Sequence, residues 1–306
     1  MPILVTTPNG TVGRYLTEAL RDRSDVRFLV RSEAGAKALG KVRGEVFRGD
    51  VTDLADIRGA VAGVNRLYLA HPFTEDQVAA ETNLGLAAIE AGARRIIKLG
   101  ARAFSGNGIV PDAVTSAHDT ITERLRSAGV PELTVLQPDR FLQNFLPAAP
   151  SIAKGTLADP AGPGARGYVD VRDIAEVAIA ELLAAHPIGG EIEISGPQTL
   201  TLPELADRFG AALGRPVRYV DIPLDGAWRA ALADRGITPQ VIDGLQGLYS
   251  NYHQEGVAGL GDGVQRVLGR PPRSVIKSAH LTQSSPRGSA PRRRLTSMTQ
   301  DTGSTS

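Results

Sequence analysis

The chain opens on an apolar run, Ile3-Leu4-Val5, that passes through Thr6-Thr7-Pro8-Asn9-Gly10-Thr11-Val12-Gly13 into a helical pattern from Arg14 to Leu20. A strand, a turn of small residues and a helix is how a nucleotide site begins. Such a turn needs glycine because backbone must approach a pyrophosphate closely, and the charge then rests on the N–H groups that open the helix. Gly10 and Gly13 can serve that purpose, whereas Thr7 stands where the usual G-x-x-G-x-x-G spacing puts its first glycine. Pro8 and Asn9 still favour a tight turn. Taken alone, the same stretch also fits an ordinary βα loop.

The rest of the chain selects between the two. Apolar, β-rich runs at 26–30, 45–48, 65–70, 95–100 and 133–138 are separated by helical patterns, among them 54–61, 81–91 and 115–127. Sustained βα alternation behind a phosphate turn predicts a doubly wound parallel Rossmann sheet. That domain spans 1–150 and is completed by about 165–196, where Asp170 or Asp173 can cap a helix before a strand at 191–195. A smaller discontinuous α/β lobe is expected from 151–164 and 197–280. It includes a short strand pair about 152–157, a helix capped by Thr201 with Glu204 in a capping box, a strand at 217–221 and helices at 225–235 and 238–251. From 281 to 306 the chain turns to Ser, Thr, Arg, Pro and Gly, which predicts a disordered tail.

Composition excludes several chemistries. The 34 basic and 33 acidic residues nearly cancel, so nothing points to nucleic acid or an anionic membrane. There is no cysteine, which removes disulfides, thiolate nucleophiles and Cys-based metal sites together. The five histidines never fall at ligand spacing, so no metal is expected. With no leader-like segment and no span of membrane length, a cytoplasmic protein is expected.

Candidate contacts sit at successive strand ends. Eighteen residues beyond Gly13 is Arg31, where an acidic side chain would favour NAD; its planar fork suits a 2′-phosphate and so NADP(H), or it is a solvated strand-end arginine. Asp50 can accept from an adenine amino group, while Asp53 suits a helix cap. His71, Lys98 and Pro138 lie at the ends of later strands, beside the expected phosphates and nicotinamide ribose. Beyond Pro138, Phe141, Asn144 and Phe145 are candidates for a substrate pocket, with Trp228, Tyr249 and Tyr252 as an aromatic wall from the lobe. For the phenylalanines, core is an equal alternative.

The turn, Val30-Arg31-Ser32, Gly49-Asp50, Ile97-Lys98-Leu99, residues 118–144, Val169-Asp170-Val171-Arg172-Asp173-Ile174-Ala175 and Gly269-Arg270-Pro271-Pro272-Arg273 occur in order. Together they resemble the NmrA-like branch of atypical short-chain dehydrogenases/reductases over about residues 2–275. The resemblance implies an N-terminal NADP(H)-binding fold with a small lobe closing over the nicotinamide. It also implies a quinone or azo reductase, a natural-product tailoring enzyme or a redox sensor. Two departures from the pattern are Thr7 in place of glycine and Gly100 where a serine usually comes after the fifth strand.

No tyrosine has a lysine four residues later, so the usual Tyr-x-x-x-Lys proton donor is missing. By the resemblance, His118 lies near that tyrosine's position, as candidate acid with Lys98 tuning its charge. A quinone or azo acceptor needs less, since hydride transfer gives a stabilised anion that water can protonate. The leading expectation is an NADPH-dependent oxidoreductase acting on a small conjugated aromatic substrate. The alternatives are an NADP(H)-sensing regulator with a protein partner, favoured by the lost tyrosine and serine, and a non-redox tailoring enzyme.

Overall fold

The computed structural model describes residues 2–104, 109–254 and 259–275. The Gly/Asn-rich loop at 105–108, the last residues expected in the lobe and the tail at 281–306 lie outside the described residues. The chain begins β1 (Ile3–Val5), α1 (Gly13–Leu20), β2 (Val26–Val30), α2 (Glu33–Leu39), β3 (Glu45–Arg48) and α3 (Leu54–Val61). It continues β4 (Arg66–Leu69), α4 (Gln77–Glu90), β5 (Arg95–Leu99), α5 (Ala113–Ser127) and β6 (Glu132–Pro138). A 3-10 segment, Leu142–Ala148, leads into α6 (Ala149–Ile152), β7 (Thr156–Asp159), α7 (Val171–Leu183), β8 (Gly190–Ile194) and α8 (Leu202–Leu213). Last come β9 (Arg218–Asp221), α9 (Gly226–Ala233), α10 (Pro239–His253) and α11 (Gly263–Leu268).

Side chains alternate along each strand, and that period sorts the apolar residues onto two faces. Ile3, Val5 and Tyr68 pack with α1, α7 and α11 on one side. Leu4, Leu67 and Leu69 pack with α3, α4 and α5 on the other. The result is a seven-stranded sheet in the order β3-β2-β1-β4-β5-β6-β8. Every pairing is parallel, the doubly wound Rossmann arrangement. Strand order reverses between β1 and β4, which opens a crevice at the carboxyl ends of the strands.

β7 and β9 form a separate parallel pair in the lobe, whose own core holds Leu157, Tyr168, Leu202 and Leu205. The expected strand pair about 152–157 is corrected here: Ile152 ends the short helix α6, and β7 finds its partner about sixty residues later. Asp53, Asp170 and Thr201 cap α3, α7 and α8, and Thr201 with Glu204 closes a capping box. Asn251, fully buried on α10, bonds both the N–H and C=O of Val110 and the carboxylate of Asp112 at the start of α5, joining lobe to sheet domain.

The Gly269–Arg273 stretch acts as a clamp on α7. Arg270 Nη2 reaches Asp173 at 2.7 Å, and the Arg273 N–H donates to the same carboxylate at 2.7 Å. The Arg273 guanidinium pairs with Asp173 and Glu176 as well. Asp173 is thus spent on the clamp, and Asp170 alone serves as the cap. Among the described residues no helix is long and apolar enough to cross a membrane, and no side-chain cluster could hold a metal ion.

Candidate active site

Two clefts open side by side along the carboxyl edge of the sheet and share His71. The first, about 360 Å³, lies over the reversal between β1 and β4. Thr6, Thr7, Asn9 and Gly10 form one wall, and Arg31, Asp50 and His71 stand at the ends of β2, β3 and β4. The Thr6 hydroxyl donates to the carbonyl of Ala70 and accepts from its N–H, tying the turn to β4. Asn9 Nδ2 donates to the Gly35 carbonyl at 2.8 Å and links the turn to α2.

Thr7 has a φ of 45°. This left-handed backbone is the one a glycine would supply, so the turn keeps its shape despite the substitution. A Cβ on Gly13 would lie 2.0 Å from the Thr7 carbonyl oxygen, and one on Gly10 3.0 Å from it. Helix α1 can therefore start directly against the turn. No side chain caps α1, and its first turn holds no acidic residue; by contrast Ser32, Asp53 and Asp112 cap α2, α3 and α5. An uncapped helix start beside a cleft fits an anion, and a glycine-tight turn fits a pyrophosphate.

Arg31 is exposed on the cleft wall and has no ion-pair partner among the described residues, as a side chain reserved for a ligand phosphate would be. Asp50 Oδ1 accepts from the N–H and hydroxyl of Thr52. These bonds hold its carboxyl below the usual range. Thr11, Val12 and Gly13 do not line the cleft: Thr11 is exposed, Val12 joins the core and Gly13 packs under Thr7. They bear on it through the backbone that opens α1.

The second cleft, about 370 Å³, lies between the ends of β5 and β6 and helix α10 of the lobe. Pro138, Phe141, Asn144 and His118 line it, together with Tyr252. Phe145, expected beside them, is corrected to the lobe core, where it is 4% exposed and packs against Tyr168 and Phe209. The 3-10 segment turns Phe141 and Phe145 to different surroundings. Trp228 and Tyr249 stack edge-on, 6.0 Å apart, and do not line the cleft.

Lys98 lies beneath both clefts, fully buried. Its ammonium pairs with Glu81 at 2.9 Å, donates to the Leu99 carbonyl at 3.0 Å and lies 3.0 Å from His118 Nδ1. Burial lowers the His118 pKa to about 3, with the Lys98 charge acting in the same direction. A ring held neutral in this way can act as the expected candidate acid only from its neutral form, with Nδ1 facing the Lys98 ammonium. Burial likewise draws Lys98 below its ordinary value, against the pull of Glu81.

Sequence reasoning places Lys98 beside His118 but misses Glu81 and three arginines of the second cleft, Arg102, Arg140 and Arg166. Glu81 gives no signal because its partner Lys98 lies seventeen residues on, in β5, beyond the reach of helix periodicity. The arginines come from three separate segments, and only Arg140, just past Pro138, obeys a strand-end rule.

The chain is similar to known reductases over most of its length. The chain is 31% identical over 282 residues to an NAD(P)H azoreductase of Xenophilus azovorans, covering 90% of this chain and 96% of that protein. It is also 31% identical over 276 residues to a (4-alkanoyl-5-oxo-2,5-dihydrofuran-3-yl)methyl phosphate reductase of Streptomyces griseus, covering 89% and 94%. An Escherichia coli NADPH-dependent quinone oxidoreductase solved with NADPH shares the fold at a TM-score of 0.77 and 23% identity, over 91% of this chain and 99% of that one. Residues 1–254 match the model of the NmrA-like family, and this chain belongs to that family.

Proposed function

We propose that this chain is an NADPH-dependent oxidoreductase that passes a hydride to a quinone-like or other conjugated aromatic acceptor. One observation carries the proposal: a cleft suited to a dinucleotide opens, past His71, onto a second cleft of similar volume lined by Phe141 and Tyr252. The azoreductase and quinone oxidoreductase relatives support the same class of acceptor.

In this reading the backbone of Thr7–Gly13 holds the pyrophosphate, and Arg31 takes the 2′-phosphate. Asp50 faces the adenine end, while His71 and Pro138 border the nicotinamide ribose. Bound NADPH supplies the hydride; the acceptor also takes up one proton, which completes a two-electron reduction. His118 has one N–H to give, at Nε2, and Lys98 can restore a proton at Nδ1, so the pair can relay without the ring becoming cationic at neutral pH. Phe141, Asn144 and Tyr252 position the acceptor, which carries most of the catalysis for a substrate whose reduced anion is already stabilised.

Calorimetric titration with NADPH and NADP⁺, then NADPH oxidation against a panel of quinones and azo dyes, tests the proposal. Saturable oxidation with one acceptor is the expected result. Tight binding with no oxidation above the protein-free rate would overturn it in favour of a cofactor-sensing role, which the missing Tyr-x-x-x-Lys pair also fits.

A further inference from the structure

Three arginines line the second cleft, and two of them are paired with carboxylates. Arg140 holds Asp159 through two hydrogen bonds of 3.0 and 2.6 Å. Arg102 lies 3.3 Å from Asp139 and 2.9 Å from Glu193. Arg166 differs: it is 3% exposed, and among the described residues no carboxylate lies within 4.0 Å of its guanidinium. Asp139, on the same wall, is already bonded by Arg102 and by the N–H groups of Arg140 and Gly167.

The rest of the Arg166 environment fixes the guanidinium without neutralising it. Phe104 and Tyr252 lie 5.1 and 4.5 Å from its central carbon, in cation–π geometry. Nη2 donates to the carbonyls of Asn251 and Tyr252, at the last turn of α10. Nε is buried with no acceptor, and Nη1 bonds to no described group. A buried cation is ordinarily paired, because its desolvation is costly and rings and carbonyls offset that cost only in part. Here the missing partner would come from the cleft that Arg166 lines.

We propose that the acceptor reduced at this site carries an oxyanion (carboxylate, sulfonate or phosphate) received by Arg166, with Phe141 and Tyr252 against its conjugated body. The proposal rests on the hydride-transfer reading for the nature of the acceptor, but the anion site can be tested separately. A charge-assisted hydrogen bond in a desolvated cleft is selective for charge, and an uncharged analogue leaves the donor unpaired.

The experiment compares kcat/KM for neutral naphthoquinone and for naphthoquinone sulfonate in the parent protein, in Arg166→Gln and in Arg166→Lys, with thermal melts as a folding control. The anionic-to-neutral ratio should fall roughly tenfold or more in Arg166→Gln and be partly kept in Arg166→Lys. An unchanged ratio would overturn the proposal even if both quinones are reduced, leaving the hydride-transfer reading intact. Should the variants melt early, or no quinone be reduced, calorimetry on the wild-type protein with naphthalene sulfonate and neutral naphthol decides. Salt-sensitive preference for the sulfonate upholds the anion site, even where hydride transfer fails; equal or absent binding rejects it.

Discussion

Replacing Thr7 by glycine should stabilise the protein. The φ of 45° at Thr7 lies in the left-handed region, which costs an L-residue about 1–2 kcal/mol and a β-branched one no less. Glycine removes that cost but gains unfolded-chain entropy, which returns about 0.5–1 kcal/mol. The Thr7 side chain makes no hydrogen bond among the described residues; only its carbonyl is used, by the Gly10 N–H at 2.8 Å. The net gain is on the order of 0.5–1 kcal/mol, a rise of about 1–4 °C in Tm for a chain of this size. Thr7→Val keeps both the strain and the branching and should gain nothing. Urea and thermal unfolding of the two variants, paired with calorimetric NADPH affinity, give the comparison. If Thr7→Gly unfolds more easily than the parent, the Thr7 side chain contributes more than its backbone costs, and the turn is not strained in the sense described.

Arg31→Asp should weaken NADPH binding by about tenfold to a hundredfold and NADH binding little; equal loss of both, measured by calorimetry, would remove Arg31 from the 2′-phosphate. Because His118 is held neutral, with its folded pKa near 3 and below the unfolded value, its contribution is complete above about pH 6.5 and is lost as pH falls from there towards 3. The difference in unfolding free energy between the parent and His118→Gln should therefore shrink by on the order of 1–2 kcal/mol between pH 7 and pH 5; a pH-independent difference would mean that the ring protonates in the fold. Arg273→Ala leaves the buried Asp173 with one fewer cation and should cost about 2–3 kcal/mol, with Arg273→Lys recovering part of it in the same thermal melt.

The parts of this molecule that are legible in its sequence are those set by neighbours in the chain. Continuous apolar, β-rich runs give most strands of the large sheet, and Thr201 with Glu204 gives a capping box because both partners lie within one turn. Apolar periodicity starts the α4 helix too late because its true start at Gln77 carries buried polar residues, Gln77 and Glu81, that serve Lys98 rather than the apolar stripe. Helix α2 leaves no apolar signature, and Ser32 caps it. The substrate side is least legible. Whether Phe141 or Phe145 faces the cleft depends on a 3-10 segment that no periodicity announces. The neutral state of His118 depends first on burial, which no local pattern announces, and then on Lys98, 3.0 Å away.

The clamp of Arg270 and Arg273 on α7 bears on how the protein is made. Helix α7 packs across β4, β5 and β6 and against α1, and β8, which closes the sheet, comes after it in the chain. A nascent chain leaves the ribosome at several residues per second, N-terminus first. The phosphate turn and the first six strands therefore emerge while one face of the sheet is covered only by α1 and α2, and the two arginines that lock the rest of its cover arrive only near residue 273. For that interval the apolar surface that α7 will cover on β4, β5 and β6 faces quality-control machinery. Chains truncated before Gly269 should be held by chaperones or degraded rather than accumulate as a stable cofactor-binding fragment.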